Sequence, residues 1–184
     1  MMNSFYNGIE LEELGLKQYG KNVLISRKCC IYSPETISVG DNVRIDDFCI
    51  LSGIINIGSR VHIAAYCALY GAFGIDMEDY TGLSPRCTIF SASDDFSGNY
   101  LISPMVDKKK TNVTGGKVLI KQYSQIGAGS TILPSIIVNE GVAVGAMSLI
   151  NKNLEGWGIY AGIPADRIRD RKKGLLDFVR SDEK

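Results

Sequence analysis

Between Val39 and Ile75 an aliphatic residue returns at every sixth position: Val39, Ile45, Leu51, Ile57, Ile63, Leu69 and Ile75. A second apolar residue follows four places after most of them, as at Val43, Cys49, Ile55, Val61, Cys67 and Phe73. A period of six fits neither an amphipathic helix nor a simple alternating strand. The register returns at Ile120, Ile126, Ile132, Val138, Val144 and Ile150, and in shorter form at Ile25, Ile31, Ile37 and at Met77, Leu83, Ile89. The phase slips by two residues at Ile37/Val39 and at Ile75/Met77, which reads as a longer corner in each case.

One bulky and one small inward side chain per hexapeptide cannot bury a face alone, so the units must stack. Short strands joined by tight corners and wound into a solenoid satisfy this, each strand pairing with its equivalents about 4.8 Å above and below. Cys29, Cys49, Cys67 and Cys87 all hold the second inward position, spaced by 20, 18 and 20 residues. Each spacing is one coil, lengthened by two where the phase slips. The four thiols are therefore expected in one vertical ladder, as small interior hydrophobes.

The 184 residues carry 20 basic and 20 acidic side chains. Such a balance gives no global attraction to nucleic acid or to a membrane surface. No apolar run approaches a membrane span. Five cysteines without a CxxC pair or a Cys/His cluster suggest neither a disulfide framework nor zinc. No leader segment is visible, so the expected location is cytoplasmic.

The chain reads as a single domain, 1–184. Residues 1–22 form an N-terminal cap with a short helix or hook, and residues 23–90 the first part of the solenoid. Residues 91–117 break the repeat with Pro104, Lys108, Lys109, Lys110, Gly115 and Gly116. A long irregular loop on a regular scaffold is commonly functional. Residues 118–155 resume the coils. Residues 156–184 leave them, with Pro164 opening a helix that carries Ile168, Leu175, Leu176 and Val179 on one face and closes the last coil. Tyr32, Phe48, Tyr66, Tyr70 and Tyr80 fall outside the inward positions and are expected to point outward.

The repeats together with IGAGSTILPSIIVNEGVAVGAMSLINKN and YAGIPADRIR resemble the hexapeptide-repeat acyltransferase family. The likeness is greatest to sugar acetyltransferases of galactoside acetyltransferase and surface-polysaccharide type. This resemblance implies an all-β fold: a left-handed parallel β-helix of about six coils, with an inserted loop and a short C-terminal α-helix. It also implies a homotrimer with sites between subunits, and transfer of an acetyl group from acetyl-CoA to a hydroxyl or amine of a sugar or nucleotide-linked sugar, without a metal. Ala128, Gly145, Ala146, Asn151, Lys152 and Arg169 fall where relatives touch CoA, the two cations positioned for its phosphates. Tyr70 falls near an acceptor-contacting position.

Relatives often place a histidine base in the inserted loop, where this chain reads Ser93, Asp94, Asp95, Phe96. Three mechanisms stay open. His62, the one histidine, can act as base across a subunit interface. Asp94 or Asp95 can serve, one of them raised by like-charge repulsion. Or the acceptor is an amine that needs positioning more than a base. Two further readings are a non-catalytic trimeric assembly module and an acetyltransferase for a small molecule such as serine.

Overall fold

In the computed structural model, which describes residues 4–182, every bulky aliphatic of the six-residue register from Ile25 to Ile150 except the half-buried Ile31 is buried inside a three-walled parallel β-solenoid. Ile25, Ile37, Ile45, Leu51, Ile63, Leu69, Leu83, Ile89, Ile120, Ile126 and Ile132 are all 1% exposed or less. The first wall is a ladder of eight two- to five-residue strands: Leu24–Ile25, Arg44–Ile45, His62–Ile63, Gly82–Leu83, Gln125–Ile126, Ala143–Val144, Gly158–Ala161 and Asp166–Asp170. All but the last pair in parallel. The second and third walls share one sheet, because Ile50–Ile57 and Ala68–Met77 run on around a corner and pair on both sides of it. The solenoid has about seven turns rather than six. Gln18–Tyr19 pairs with Ser38 and Val39 at one end, inside the stretch expected to be only a cap, and Gly158–Ala161 adds a rung at the other.

The phase slips have local causes. One coil gains residues through a 3-10 turn at Pro34–Thr36. In another, Ile55 pairs with Ile75 although Gly53 pairs with Gly71, so two extra residues bulge out and Phe73 is exposed rather than inward. Corners are left-handed. Asn22, Asn42, Arg60, Tyr80, Tyr123 and Trp157 form one corner column, with φ between 53° and 62°. Side chains there leave the core and stack on one another: Arg60 over Tyr80, Tyr80 with Tyr123, Tyr123 with Trp157, Lys173 over Trp157. The second corner column carries Phe48 stacked on Tyr66, between Lys28 and Arg86.

The thiol ladder is present. All five cysteines are free, and Cys49, Cys67 and Cys87 are buried, with Cys67 Sγ donating to the Ser84 carbonyl at 3.2 Å. Cys49 is helped down by its Cys29 neighbour but raised more by Cys67 and by burial, and is pushed up to about 12.

The ends differ in how they close. Gly8–Glu13 is a helix with a reciprocal Asn7/Glu10 capping box, and it buries Leu11 against the first coil. At the other end the sequence expectation needs correction. Pro164 does not open a helix: Asp166–Asp170 is an antiparallel strand on Gly158–Ala161, and the helix is confined to Leu175–Asp182. Arg167 and Asp170 pair on that strand, and Arg167 also donates to the Tyr160 hydroxyl. The helix lies along the aromatic corner, facing Tyr80 and Tyr123, rather than over the last coil. Arg171 ties it down by donating to the carbonyls of Tyr123, Gly141 and Val142.

Candidate functional site

On the first wall, the residue after each inward aliphatic forms an outward column: Ser26, Asp46, Ala64, Ser84, Gly127, Gly145, with each N–H donating to the carbonyl of the inward residue one rung on. The preceding residues Arg44, His62, Gly82, Gln125 and Ala143 form the adjacent column. Three polar pairs span these columns. His62 Nε2 lies 2.8 Å from Asp46 Oδ2, and Arg44 Nε donates to Asp46 Oδ1 at 2.7 Å. Burial alone would raise the Asp46 carboxyl. The hydrogen bonds from His62 and Arg44 outweigh it and hold the group below the ordinary carboxylate range. Farther along, Gln125 Nε2 donates to Ser84 Oγ at 3.1 Å. A Cβ on Gly82 would stand 2.4 Å from Gln125 Oε1, so glycine there leaves room for the amide.

The loop 91–117 leaves the second wall and is pinned where it starts. Ala92–Ser93 pairs antiparallel with Thr114–Gly115. Buried Ser91 accepts from Phe73 N and donates to the Tyr70 carbonyl, both at 2.9 Å. Tyr70 stacks on Phe90, with ring centroids 5.3 Å apart. Asp94 is exposed and stands between two hollows. One, of about 600 Å³, lies within the loop against Pro104, Val106, Lys108 and Val113. The other, of about 280 Å³, lies against Phe90, Leu133, Pro134 and Phe96. Asp95 faces its own turn, accepting from Ser97 Oγ at 2.9 Å and Gly98 N at 3.1 Å, bonds that hold its carboxyl low. Asp95 is thus bound to its own turn rather than to Asp94. Lys108–Lys110 is a 3-10 turn capped by Asp107.

The residues predicted to meet CoA lie on the last coils. Ala146, Asn151, Lys152 and Arg169 are exposed, and Ala128 and Gly145 are half-buried. Lys152 pairs with Asp166. Gly127 serves packing first: a Cβ there would lie 2.5 Å from Ala146 N, so no other residue fits between those rungs. Gly145 has more room, the nearest atom to an added Cβ being Ala161 Cβ at 3.0 Å.

His62 is therefore brought to Asp46 and Arg44, on the first wall. On the second, at the loop's foot, Tyr70 stacks on Phe90, and Phe90 lines one hollow with Asp94. Sequence reasoning missed Asp46, Ser84 and Gln125. The available signal was the shared repeat position of Asp46, Ser84 and Gly127, each one residue after an inward aliphatic. Among the described residues no group of three His, Cys, Asp or Glu side chains is arranged to hold a metal ion. None of the described helices is long and apolar enough to cross a membrane.

No family model matches the chain. It is 41% identical over 178 residues to an Escherichia coli dTDP-4-amino-4,6-dideoxy-D-glucose acyltransferase, covering 95% of this chain and 93% of that protein. The Bacillus cereus N-acyltransferase AntD, solved as a variant with alanine in place of serine 84 in complex with dTDP-4-amino-4,6-dideoxyglucose and coenzyme A, is 49% identical with a TM-score of 0.96, covering 99% of this chain and 98% of that one. It has also been solved with dTDP and 3-hydroxybutyryl-CoA, at a TM-score of 0.95 over the whole of both chains. Variants of that enzyme altered at a serine numbered 84 and an aspartate numbered 94 have been solved too. A Vibrio cholerae hexapeptide-repeat acetyltransferase, 17% identical with a TM-score of 0.59 over 89% of this chain and 75% of that one, shares the fold.

Proposed function

The chain belongs to the family of dTDP-4-amino-4,6-dideoxyglucose acyltransferases, and on that premise we propose that it acylates the 4-amino group of a dTDP-linked 4-amino-4,6-dideoxy sugar, with an acyl-CoA as donor. The observation that carries this reading is 41% identity across 95% of the chain to an enzyme of that activity. The coincidence of Ser84 and Asp94 with the two positions altered in AntD supports it. The amine lone pair attacks the thioester carbonyl carbon. The C–N bond forms, the C–S bond breaks, and the amine's proton passes to the departing sulfur, leaving an amide and free CoA. Asp94 accepts a hydrogen bond from the amine, orients it and relays that proton. The Gln125 amide occupies a lone pair of Ser84 Oγ, which leaves the Ser84 hydroxyl hydrogen free to meet the carbonyl oxygen as charge builds there. His62, committed to Asp46, supports the wall rather than the chemistry. Lys152 and Arg169 face the phosphates of CoA, and Ala128, Gly145, Ala146 and Asn151 line its arm.

Ser84 and Asp94 stand on different walls, and a neighbouring subunit in a homotrimer completes the site. The exposed corner stack of Phe48 and Tyr66, with Met147 on the same corner column, supports such an interface. The reaction belongs in the cytoplasm, where CoA thioesters and nucleotide sugars are found, and its product suits surface-polysaccharide assembly. Incubation of the protein with dTDP-4-amino-4,6-dideoxyglucose and acyl-CoAs tests the function. A mass gain of one acyl group on the nucleotide sugar is expected. Its absence with every donor from acetyl- to hexanoyl-CoA refutes the reading.

A further inference from the structure

The smaller hollow beside Asp94 has a position and a lining that the reaction as described does not use. On the second wall, Asn151, Leu133, Phe90 and Tyr70 form one outward column: Ile150, Ile132, Ile89 and Leu69, the residues before them, pair in register from rung to rung. Asn151 is the CoA-side end of this column. Leu133 and Phe90, next along it, form the floor of the hollow of about 280 Å³. Ala92, Pro134 and the exposed Phe96 form its sides, and Asp94 stands on its rim. Apart from Ser93 and Asp94, every lining side chain is apolar.

Resting on the acyl-transfer reading above, we propose that this hollow is an acyl-chain slot, lined by Phe90, Leu133 and Phe96, that selects acyl-CoA donors of about four carbons over acetyl-CoA. The reacting carbonyl must lie next to the amine held at Asp94, so the rest of the acyl chain extends into whatever space adjoins that carboxylate. An acetyl methyl occupies about the volume of one water, ~30 Å³, and leaves most of the slot filled by water against apolar walls. Two further methylenes displace that water, and each is worth about fourfold in transition-state binding at ~0.8 kcal/mol. The column also gives the slot a floor that cannot retreat, because Phe90 rests on Tyr70 and both are set on paired strands.

The test is kcat/KM for acetyl-, propionyl-, butyryl- and hexanoyl-CoA with the amino sugar nucleotide fixed. Butyryl-CoA is expected to exceed acetyl-CoA about 15-fold, two methylenes' worth. In Leu133→Phe, which fills the floor, that ratio should fall to near one. In Leu133→Ala the optimum should move to a longer chain. Should Leu133→Phe not fold, the wild-type ratio and Leu133→Ala decide. Preference for acetyl-CoA in the wild type, or a butyryl-to-acetyl ratio unmoved by both substitutions, overturns the slot while leaving acyl transfer standing. Failure of every donor overturns the function itself and the slot with it.

Discussion

Replacing Ile89 by alanine tests the solenoid where it carries the site. Ile89 is fully buried on the strand Thr88–Phe90, between Leu69 on one side and Ile132 on the other. The substitution removes three carbons, about 2.4 kcal/mol of transfer free energy at ~0.8 per methylene. The rung cannot close over the gap: Thr88 N donates to Ser130 O and Ala68 N to Cys87 O, both at 2.9 Å, fixing the backbone on either side. The remaining cavity adds about 24 cal/mol per Å³, which brings the total to about 4 kcal/mol. For a chain of this size that is a fall of roughly 8–16 °C in Tm. Ile89→Val should cost about 1 kcal/mol. Ile25→Ala supplies the contrast. Ile25 pairs with a rung on one side only and is covered on the other by the lead-in, where Tyr6 N donates to its carbonyl and Leu11 packs into the core. That cover can settle into the gap, so about 2 kcal/mol is expected. Differential scanning calorimetry at one fixed protein concentration measures all three. Equal losses for Ile89→Ala and Ile25→Ala, or a loss under about 1.5 kcal/mol for Ile89→Ala, would refute the rigid-rung argument.

Four other outcomes follow from the same geometry. Asp94→Asn should lower kcat/KM about 100-fold near neutral pH, with the deficit shrinking at high pH as the amine becomes neutral by itself, while His62→Ala stays within about threefold; a pH–rate series on both variants checks this. Asp46 has a lowered pKa, so it stabilises the fold above the ordinary carboxylate range and loses that contribution as pH falls through its folded value; the advantage of the wild type over Asp46→Asn, under about 1 kcal/mol at pH 7, should vanish in acid on parallel urea titrations. Arg171→Met removes the guanidinium bonds to the Tyr123, Gly141 and Val142 carbonyls, of which Val142 keeps Gln125 N, and should cost about 2 kcal/mol, seen as faster protease release of the C-terminal helix. Ellman's reagent should titrate one thiol per native chain, the exposed Cys30, and five after denaturation; rapid reaction of a second thiol in the native state would contradict the sealed ladder.

The sequence made the column legible because its constraint is strictly periodic. A side chain that must fit the same narrow interior at every rung leaves its mark every six residues, and even the cysteines report coil length. Contacts between rungs were harder to read. Asp46 meets His62, and Ser84 meets Gln125, diagonally between adjacent rungs, across an ordinary coil in the first case and across the coil that carries the loop in the second, so the partners stand 16 and 41 residues apart in sequence. The tail misled for another reason. Ile168, Leu175, Leu176 and Val179 carry helical spacing, yet the exposed edge of Gly158–Ala161 offered backbone partners that residues 166–170 took as a strand. Pairing an open edge outweighed the weak local preference. The proposed site was legible at Asp94 by its place in the loop, but the apolar hollow beside it joins residues from positions 90 to 134 and has no local signature.

The foot of the loop has an evolutionary consequence. Its two ends, Ala92–Ser93 and Thr114–Gly115, stand side by side as a miniature ribbon, so the excursion departs and returns through a single doorway. Whatever lies beyond that doorway can lengthen, shorten or be exchanged without altering the winding of the coils. A lineage can thus exchange the loop as an interchangeable head on an unchanged handle.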